Sequence, residues 1–130
     1  MPVEVPGFKL SKEAGADLSA KQYHFVKLDA NGRVIAIAAA TDRPVGILQN
    51  KPSALGQAAE LMCDGVSRLI GGGNVAKGDM LGTTAAGRAA AIVAGTDTTK
   101  YNLGQVLDDS DNDGEECSVL FDCKSPNRAA

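Results

Sequence analysis

The sequence of 130 residues has no tryptophan, one histidine and three cysteines. A catalytic triad or a histidine-based metal site needs partners for His24 that this chain can hardly supply, so we interpret His24 as a structural or surface residue. Cys63, Cys117 and Cys123 are odd in number, and the last two are too far apart for a C-x-x-C zinc or redox motif. We therefore expect reduced, mostly buried thiols, no cofactor and no reaction centre.

The sequence also lacks a cluster of basic residues and a long apolar run. Its formal net charge is −3, whereas nucleic-acid-binding proteins carry a basic patch that displaces counterions from phosphates. No stretch is apolar for long enough to span a bilayer, and residues 1–20 lack the charged start and apolar run of a signal peptide. We expect no nucleic-acid partner, no membrane partner and synthesis in a cytosol.

Short apolar runs interrupted by glycine fill most of the sequence, most clearly from Gly56 to Leu81. This pattern favours short strands joined by turns that need positive φ, and the dipeptides Asn31-Gly32 and Asp64-Gly65 are typical of hairpin turns. The spacing predicts a mainly β domain, a barrel or a sandwich, over residues 21–123. The predicted strands are 23–28, 33–38, 45–49, 58–63, 66–70, 80–81, 87–93, 103–107 and 117–121.

The two ends of the chain differ from the middle. Residues 1–20 begin with two prolines and a glycine, which exclude a helix and disfavour a central strand. The same segment has apolar side chains to bury, namely Val3, Val5, Phe8 and Leu10. It is either a disordered terminus or an extended arm that orders only against another surface. Residues 124–130 are expected to form a flexible tail.

One acidic segment resembles a calcium-binding loop without completing it. Asp109, Asp111 and Asp113 match the first half of such a loop, with oxygen donors at alternate positions before a glycine. The twelfth position should be a bidentate glutamate, and here it is Leu120. We interpret residues 108–116 as a solvated acidic loop and keep weak calcium binding as the alternative.

A set of short motifs stands in a distinctive order and spacing over most of residues 14–121. The motifs are Asp17–Ala20, Gln22–Leu28, Pro44–Asn50 with Pro52, Gly56–Ala58, Gly65–Arg68, Val75–Leu81 and Gly87–Ala89. Taken together, they resemble the small capsid decoration, or cement, proteins of tailed double-stranded DNA bacteriophages.

This resemblance implies a protein without enzymatic activity or cofactor, with a small compact β-barrel or β-tulip-like domain and an extended N-terminal arm. Such proteins typically form homotrimers on the outer surface of the capsid, at threefold and quasi-threefold positions. There they bridge subunits of the major capsid protein and help the shell to resist the pressure of packaged DNA. The implied location is the virion surface, after synthesis in the host cytoplasm.

Two candidate contact regions follow from this interpretation. The arm is expected to contact the capsid through Val3, Val5, Pro6, Phe8 and Leu10. The alanine-rich strand candidate is expected to allow close approach between subunits at Ala89, Ala91 and Val93. No catalytic residue is expected.

An alternative class is a carbohydrate- or calcium-binding β-module that acts as a virion surface accessory. Such a module would need an exposed aromatic platform or a calcium site in residues 108–116. The available aromatic side chains are Phe8, Tyr23, Phe25, Tyr101 and Phe121.

Overall fold

The computed structural model describes residues 4–129, and within this range the regular elements are thirteen β-strands. The strands are β1 (Val5–Pro6), β2 (Lys9–Glu13), β3 (Phe25–Leu28), β4 (Val34–Ala36), β5 (Gly46–Leu48), β6 (Ala58–Met62), β7 (Asp64–Ile70), β8 (Met80–Thr83), β9 (Ala89–Ala91), β10 (Tyr101–Asn102), β11 (Gly104–Val106), β12 (Glu116–Asp122) and β13 (Asn127–Arg128). The prediction of a mainly β domain is confirmed. Residues 4–129 include no helix with the length and apolar character that a bilayer crossing requires.

Five strands form an antiparallel sheet in the order β2-β6-β5-β3-β4, here called the barrel sheet. Its first and last strands meet at one end, where Ala14 and Val34 form a parallel bridge and the Gly15 amide donates to the Val34 carbonyl at 2.7 Å. The sheet therefore curls into a partly closed barrel. Side chains from all five strands and from the connections after β2, before β5 and after β6 fill its interior. They are Leu10, Ala14, Leu18, Val26, Val34, Ala36, Val45, Leu48, Ala59, Leu61 and Cys63.

Six further strands form the flanking sheet, in the order β1-β7-β12-β11-β8-β9. Cys117, Val119 and Phe121 of β12 face inward and are buried. On the outer face Glu116, Leu120 and Asp122 are exposed, and Ser118 is buried. The inward face packs against the outer face of the barrel sheet, so that Phe25 and Phe121 meet edge to face with ring centroids 6.4 Å apart. This second core is separate from the barrel interior.

The hairpin prediction for Asn31-Gly32 is confirmed, since β3 and β4 pair antiparallel and Gly32 has φ +77°. The hairpin prediction for Asp64-Gly65 is wrong, because β6 and β7 belong to different sheets and the chain changes sheet at Cys63. Gly65 has φ +111° for another reason. A Cβ at this position would lie 2.6 Å from the amide nitrogen of Gly7, so glycine permits the close approach of the N-terminal segment.

The two terminal segments pair with strands of the same chain. Val5 and Pro6 lie opposite Val66 and Gly65 of β7, and β2 pairs along its full length with β6. Near the other end, β13 pairs with β10. The N-terminal segment is therefore extended, as expected of an arm, but it lies along both sheets. The predicted domain boundaries at residues 20 and 123 stay predictions.

Candidate functional site

The N-terminal arm crosses from the flanking sheet to the barrel sheet and presents apolar side chains at the surface. Val5 and Phe8 have exposed fractions of 62% and 53%. Pro6 is also exposed, and Leu10 is half-buried against the barrel interior. Val3 lies outside the described residues. The arm therefore offers apolar contacts even though its backbone is already paired.

Between the two paired strands of the arm, the carboxylate of Asp64 adds a further link to the body of the protein. Oδ1 of Asp64 accepts the backbone N–H of Phe8 at 2.5 Å, and Oδ2 forms a salt bridge with Nζ of Lys124 at 2.7 Å. The hydrogen bond from Lys124 is the main cause that lowers the pKa of Asp64, followed by the bond from Phe8. The backbone N–H of Cys63 also donates to the Phe8 carbonyl at 2.8 Å. These bonds hold the Phe8 backbone in place.

An apolar groove of about 500 Å³, here called the seam groove, lies at the end of the barrel sheet where β2 begins and β3 and β6 end. Its lining residues come from the arm, from β3, from the loop before β5 and from the chain around β7 and β12. They are Phe8, Leu10, Leu28, Arg43, Pro44, Val45, Cys63, Cys123 and Lys124. Phe8 and Leu28 are the exposed large apolar side chains of the groove. Two of the predicted arm contacts, Phe8 and Leu10, thus form one of its walls.

The floor of the seam groove is uncharged and its rim is basic. Burial raises the pKa values of the Cys63 and Cys123 thiols, so both are neutral at physiological pH. At the rim, Nη2 of Arg43 donates to the Lys124 carbonyl at 2.8 Å. Within residues 4–129, Arg43 has no carboxylate partner, whereas Lys124 is paired with Asp64. The groove therefore combines apolar walls with a guanidinium that forms no salt bridge within residues 4–129.

The predicted subunit-contact residues lie on β9, an edge strand of the flanking sheet. Ala91 is exposed, and Val93 just beyond the strand has an exposed fraction of 59%. Ala89 is fully buried in the core between the sheets. Its side chain therefore serves the chain's own packing, and a contact through this edge would depend on Ala91, Val93 and the backbone.

The acidic loop directs its carboxylates toward different partners. Asp109 accepts the backbone N–H of Lys77 at 2.7 Å, and Asp113 forms a salt bridge with Arg88 at 2.6 Å. The side chain of Asp111 is exposed. Among residues 4–129, no three His, Cys, Asp or Glu side chains converge as a metal site would require. The geometry therefore gives no support to the calcium alternative.

His24 is buried at the junction of the two sheets and takes part in a hydrogen-bonded chain. Its Nδ1 lies 3.0 Å from the Gln22 carbonyl, which can only accept, so Nδ1 carries the proton. Nε2 then accepts a hydrogen bond from Nε of Arg88 at 3.2 Å. Burial is the main cause that lowers the pKa of His24, and it outweighs the favourable bond to Gln22. This arrangement agrees with the structural role that we inferred for His24.

The aromatic side chains offer little support for a sugar-binding platform. The guanidinium of Arg68 lies over the Tyr23 ring at 5.8 Å, and that of Arg128 lies over the Tyr101 ring at 4.6 Å. Phe25 and Phe121 are buried. Phe8 is the one large exposed aromatic side chain in the described part of the chain.

The sequence predicted both arm residues that line the seam groove, Phe8 and Leu10, but it did not predict the groove. Leu28 and Val45 belong to predicted strands, and Arg43 lies between two of them. Their meeting with Phe8 depends on the curl of the barrel sheet, which brings β2 near β4. No signal in the local sequence reports that curl.

The sequence matches no model of a known protein family and no curated protein. Its fold is similar to a solved structure described as "The crystal structure of head fiber gp8.5 N base in bacteriophage phi29". The TM-score is 0.60 and the sequence identity is 15%, over 88% of this chain and 92% of that chain. At this identity the likeness shows a shared fold, extending over nearly the whole of both chains.

Proposed function

We propose that this chain is a structural accessory protein of a tailed-phage head. In this proposal it binds the outer surface of the capsid as a homotrimer, at threefold and quasi-threefold positions, and bridges subunits of the major capsid protein. It has no enzymatic activity in this role, and its partners are the shell protein and copies of itself.

The observation that carries the proposal is the likeness in fold to a phage head fiber base, because it covers nearly the whole of both chains. The ordered motifs between residues 14 and 121 lead by a separate route to proteins of phage heads. Two routes that use different properties of the chain, its motifs and its fold, thus support the same class of function.

The surface of the chain suits a protein that acts by contact. Val5 and Phe8 expose apolar side chains on a segment whose backbone is held in place, so little conformational entropy is lost when they bind. A trimer would present three copies of this surface, and linked copies bind far more tightly than one copy, by about a hundred-fold or more. Closed threefold symmetry also avoids open-ended assembly.

The first experiment measures assembly and shell binding with the full chain. We expect a sedimenting mass near three times the chain mass of 13.3 kDa. We also expect the protein to co-sediment with phage shells that lack accessory proteins, and electron microscopy to show added density at threefold positions. A monomer would overturn the trimer, and shells that stay bare at micromolar protein would overturn the capsid role.

The arm is tested by substitution, because deleting residues 2–10 would also remove β1 and part of β2. The double variant Val5→Ser, Phe8→Ser keeps the backbone pairing and removes the exposed apolar contacts. We expect it to bind shells at least about ten-fold more weakly, as for loss of a contact worth one to two kcal/mol. Leu55→Ser, on an exposed loop with an exposed fraction of 61%, is the matched control.

A further inference from the structure

The barrel sheet has a gap that offers unpaired backbone groups on the β2 side. The Phe8 carbonyl and the Ala14 N–H both bond toward β6, so the backbone groups between them alternate in direction. The groups that point away from β6, toward the gap, belong to Lys9, Ser11 and Glu13. In the described part of the chain, no strand pairs with this edge of β2.

The facing side of the gap is the turn between β3 and β4. The bridge between Ala14 and Val34 is parallel, so the residues before Ala14 run beside the residues before Val34, and Glu13 forms a salt bridge with Arg33 at 3.6 Å. The Val34 carbonyl is already used by Gly15, where the barrel closes. The seam groove lies at the other end of β2, where Phe8 and Leu10 line it together with Leu28 at the end of β3.

The walls of the seam groove accept a large apolar side chain. Leu28 and Phe8 are partly exposed at its opening, while Val45 and Leu10 continue the apolar surface toward the barrel interior. The neutral Cys63 and Cys123 thiols form an uncharged floor. A groove of about 500 Å³ is large enough for one or two side chains of an extended segment.

The positive charge of Arg43 at the rim of the groove favours a ligand with a negatively charged group near its apolar side chain. Arg43 lines the groove and donates to a carbonyl, and in the described residues it has no carboxylate partner. A guanidinium binds a carboxylate in a bidentate arrangement with higher specificity than a lysine ammonium. The complementary ligand therefore carries a carboxylate near its apolar group.

We infer that the seam groove is the docking site for an extended segment of the shell protein that has a large apolar side chain and, two residues along on the same face, a carboxylate. The segment pairs with the open edge of β2, places its apolar side chain between Phe8 and Leu28, and directs its carboxylate to Arg43. A free fatty acid would match the apolar wall and the guanidinium but would leave the backbone groups of β2 unused. This inference rests on the proposed function and identifies the surface that would meet the shell.

The inference is tested first without shells. The acetylated peptide Ser-Val-Thr-Leu-Thr-Asp-Val-Ser, whose Leu and Asp lie on the same face of a strand, is titrated into the full-length protein. Binding is followed by amide NMR and compared with that of a form that has Asn in place of Asp. A second series has Phe or Ile in place of Leu. We expect shifts confined to β2, Leu28, Arg43 and Val45, and at least about ten-fold weaker binding of the Asn form, since loss of a charge-assisted pair costs roughly 1.4 kcal/mol or more.

Matched variants separate the groove from general effects of charge or hydrophobicity. Arg43→Glu and Leu28→Ser should each weaken peptide binding at least about ten-fold. Lys77→Glu, the same charge change on an exposed turn, and Leu55→Ser, the same loss of an exposed leucine, should change it less than about two-fold. Absence of shifts with every peptide overturns the inference, and so does a response to decanoate alone.

The same variants then enter the shell-binding experiment. Loss of shell binding in Arg43→Glu and Leu28→Ser, with binding kept in both controls, supports the groove as the shell contact. Shell binding that is equal in all four variants overturns the groove and leaves the capsid role standing. If the unmodified protein does not bind shells, the proposed function fails, and the peptide titration alone decides whether the groove binds such segments.

Discussion

The barrel sheet and the flanking sheet are built from the same kinds of residue but bury them differently. In the barrel sheet, neighbouring residues of one strand enter two cores, as Leu48 enters the barrel interior and Ile47 the core between the sheets. In the flanking sheet one face packs inward and the other faces out, leaving Leu120 with an exposed fraction of 48%.

This difference shows how a chain poor in aromatic residues obtains enough buried surface. Because the barrel sheet curls, its inner face encloses one core and its outer face packs against another. Short strands of Ala, Val, Ile and Leu are therefore covered on both faces. The flanking sheet has no such cover and keeps an apolar row in register on its outer face, formed by Val5, Val66 and Leu120. The barrel sheet is therefore covered on both faces, whereas the flanking sheet buries one face and exposes apolar side chains on the other.

The largest expected effect is on stability, and it compares the substitution of a leucine in the barrel interior with that of a leucine on the outer face of the flanking sheet. Leu61→Ala, in the barrel interior with an exposed fraction of 1%, should lower the free energy of unfolding by about 3 kcal/mol, because it leaves a cavity that the closed end cannot fill. Leu120→Ala should lower it by less than about 0.5 kcal/mol. Urea unfolding followed by circular dichroism, with unchanged m-values, measures both.

This difference between the two sheets would be contradicted if the two variants lost similar stability at one protein concentration. A loss at Leu120 that increases on dilution would have a different meaning. It would show that the outer face of the flanking sheet is covered in an assembly, since subunit contacts make stability depend on concentration.

The strands could be predicted from the sequence because each is marked locally. Apolar and β-branched runs between glycine-containing turns identify β3 through β9 within a few residues, and Asn31-Gly32 identifies the first hairpin correctly. The pairing of strands is not local. Asp64-Gly65 has the composition of a hairpin turn, but its glycine serves the contact with Gly7, about sixty residues away along the chain.

The candidate site could be predicted only in part, for the same reason. The arm residues Phe8 and Leu10 were identified because apolar side chains near prolines have no local place to be buried. Their neighbours Leu28 and Arg43 belong to other strands and turns, and only the curl of the barrel sheet brings them together. Ala89 and Ala91 lie on the same face of β9, and how far the core extends along the strand decides that Ala89 is buried and Ala91 is exposed.

A second prediction tests how firmly the arm is held against the flanking sheet. Gly65→Ala adds a Cβ at φ +111°, within 2.6 Å of Gly7 N, and should cost about 2 kcal/mol because both strain and overlap oppose it. Gly114→Ala is the matched control, since Gly114 has φ +96° with open space around it and should show only the strain. Hydrogen exchange at the Cys63 amide, which donates to Phe8, reports arm release. Equal losses in the two variants would show that the arm is not packed closely on β7.

The smallest expected effect concerns the junction between the two sheets. Burial lowers the pKa of His24 in the folded protein, so the unfolded chain binds a proton more readily near its ordinary pKa of about 6.5. Stability is therefore complete above that pH and falls as the pH decreases below it toward the folded pKa. Protonation also removes the acceptor for Arg88 and places a second cation beside it and near Lys21.

The urea midpoint of unfolding should therefore decrease between pH 7.5 and pH 5.5. This decrease should be smaller than the decrease caused by Leu61→Ala or by Gly65→Ala. The variant His24→Gln lacks the one side chain whose ordinary pKa lies in this range, and it should show a flatter profile. The carboxylates with lowered pKa, Asp42 and Asp64, lose their contribution only at more acidic pH, as the pH falls through their folded pKa values. An unchanged slope in His24→Gln would mean that the junction between the sheets does not depend on the charge of His24.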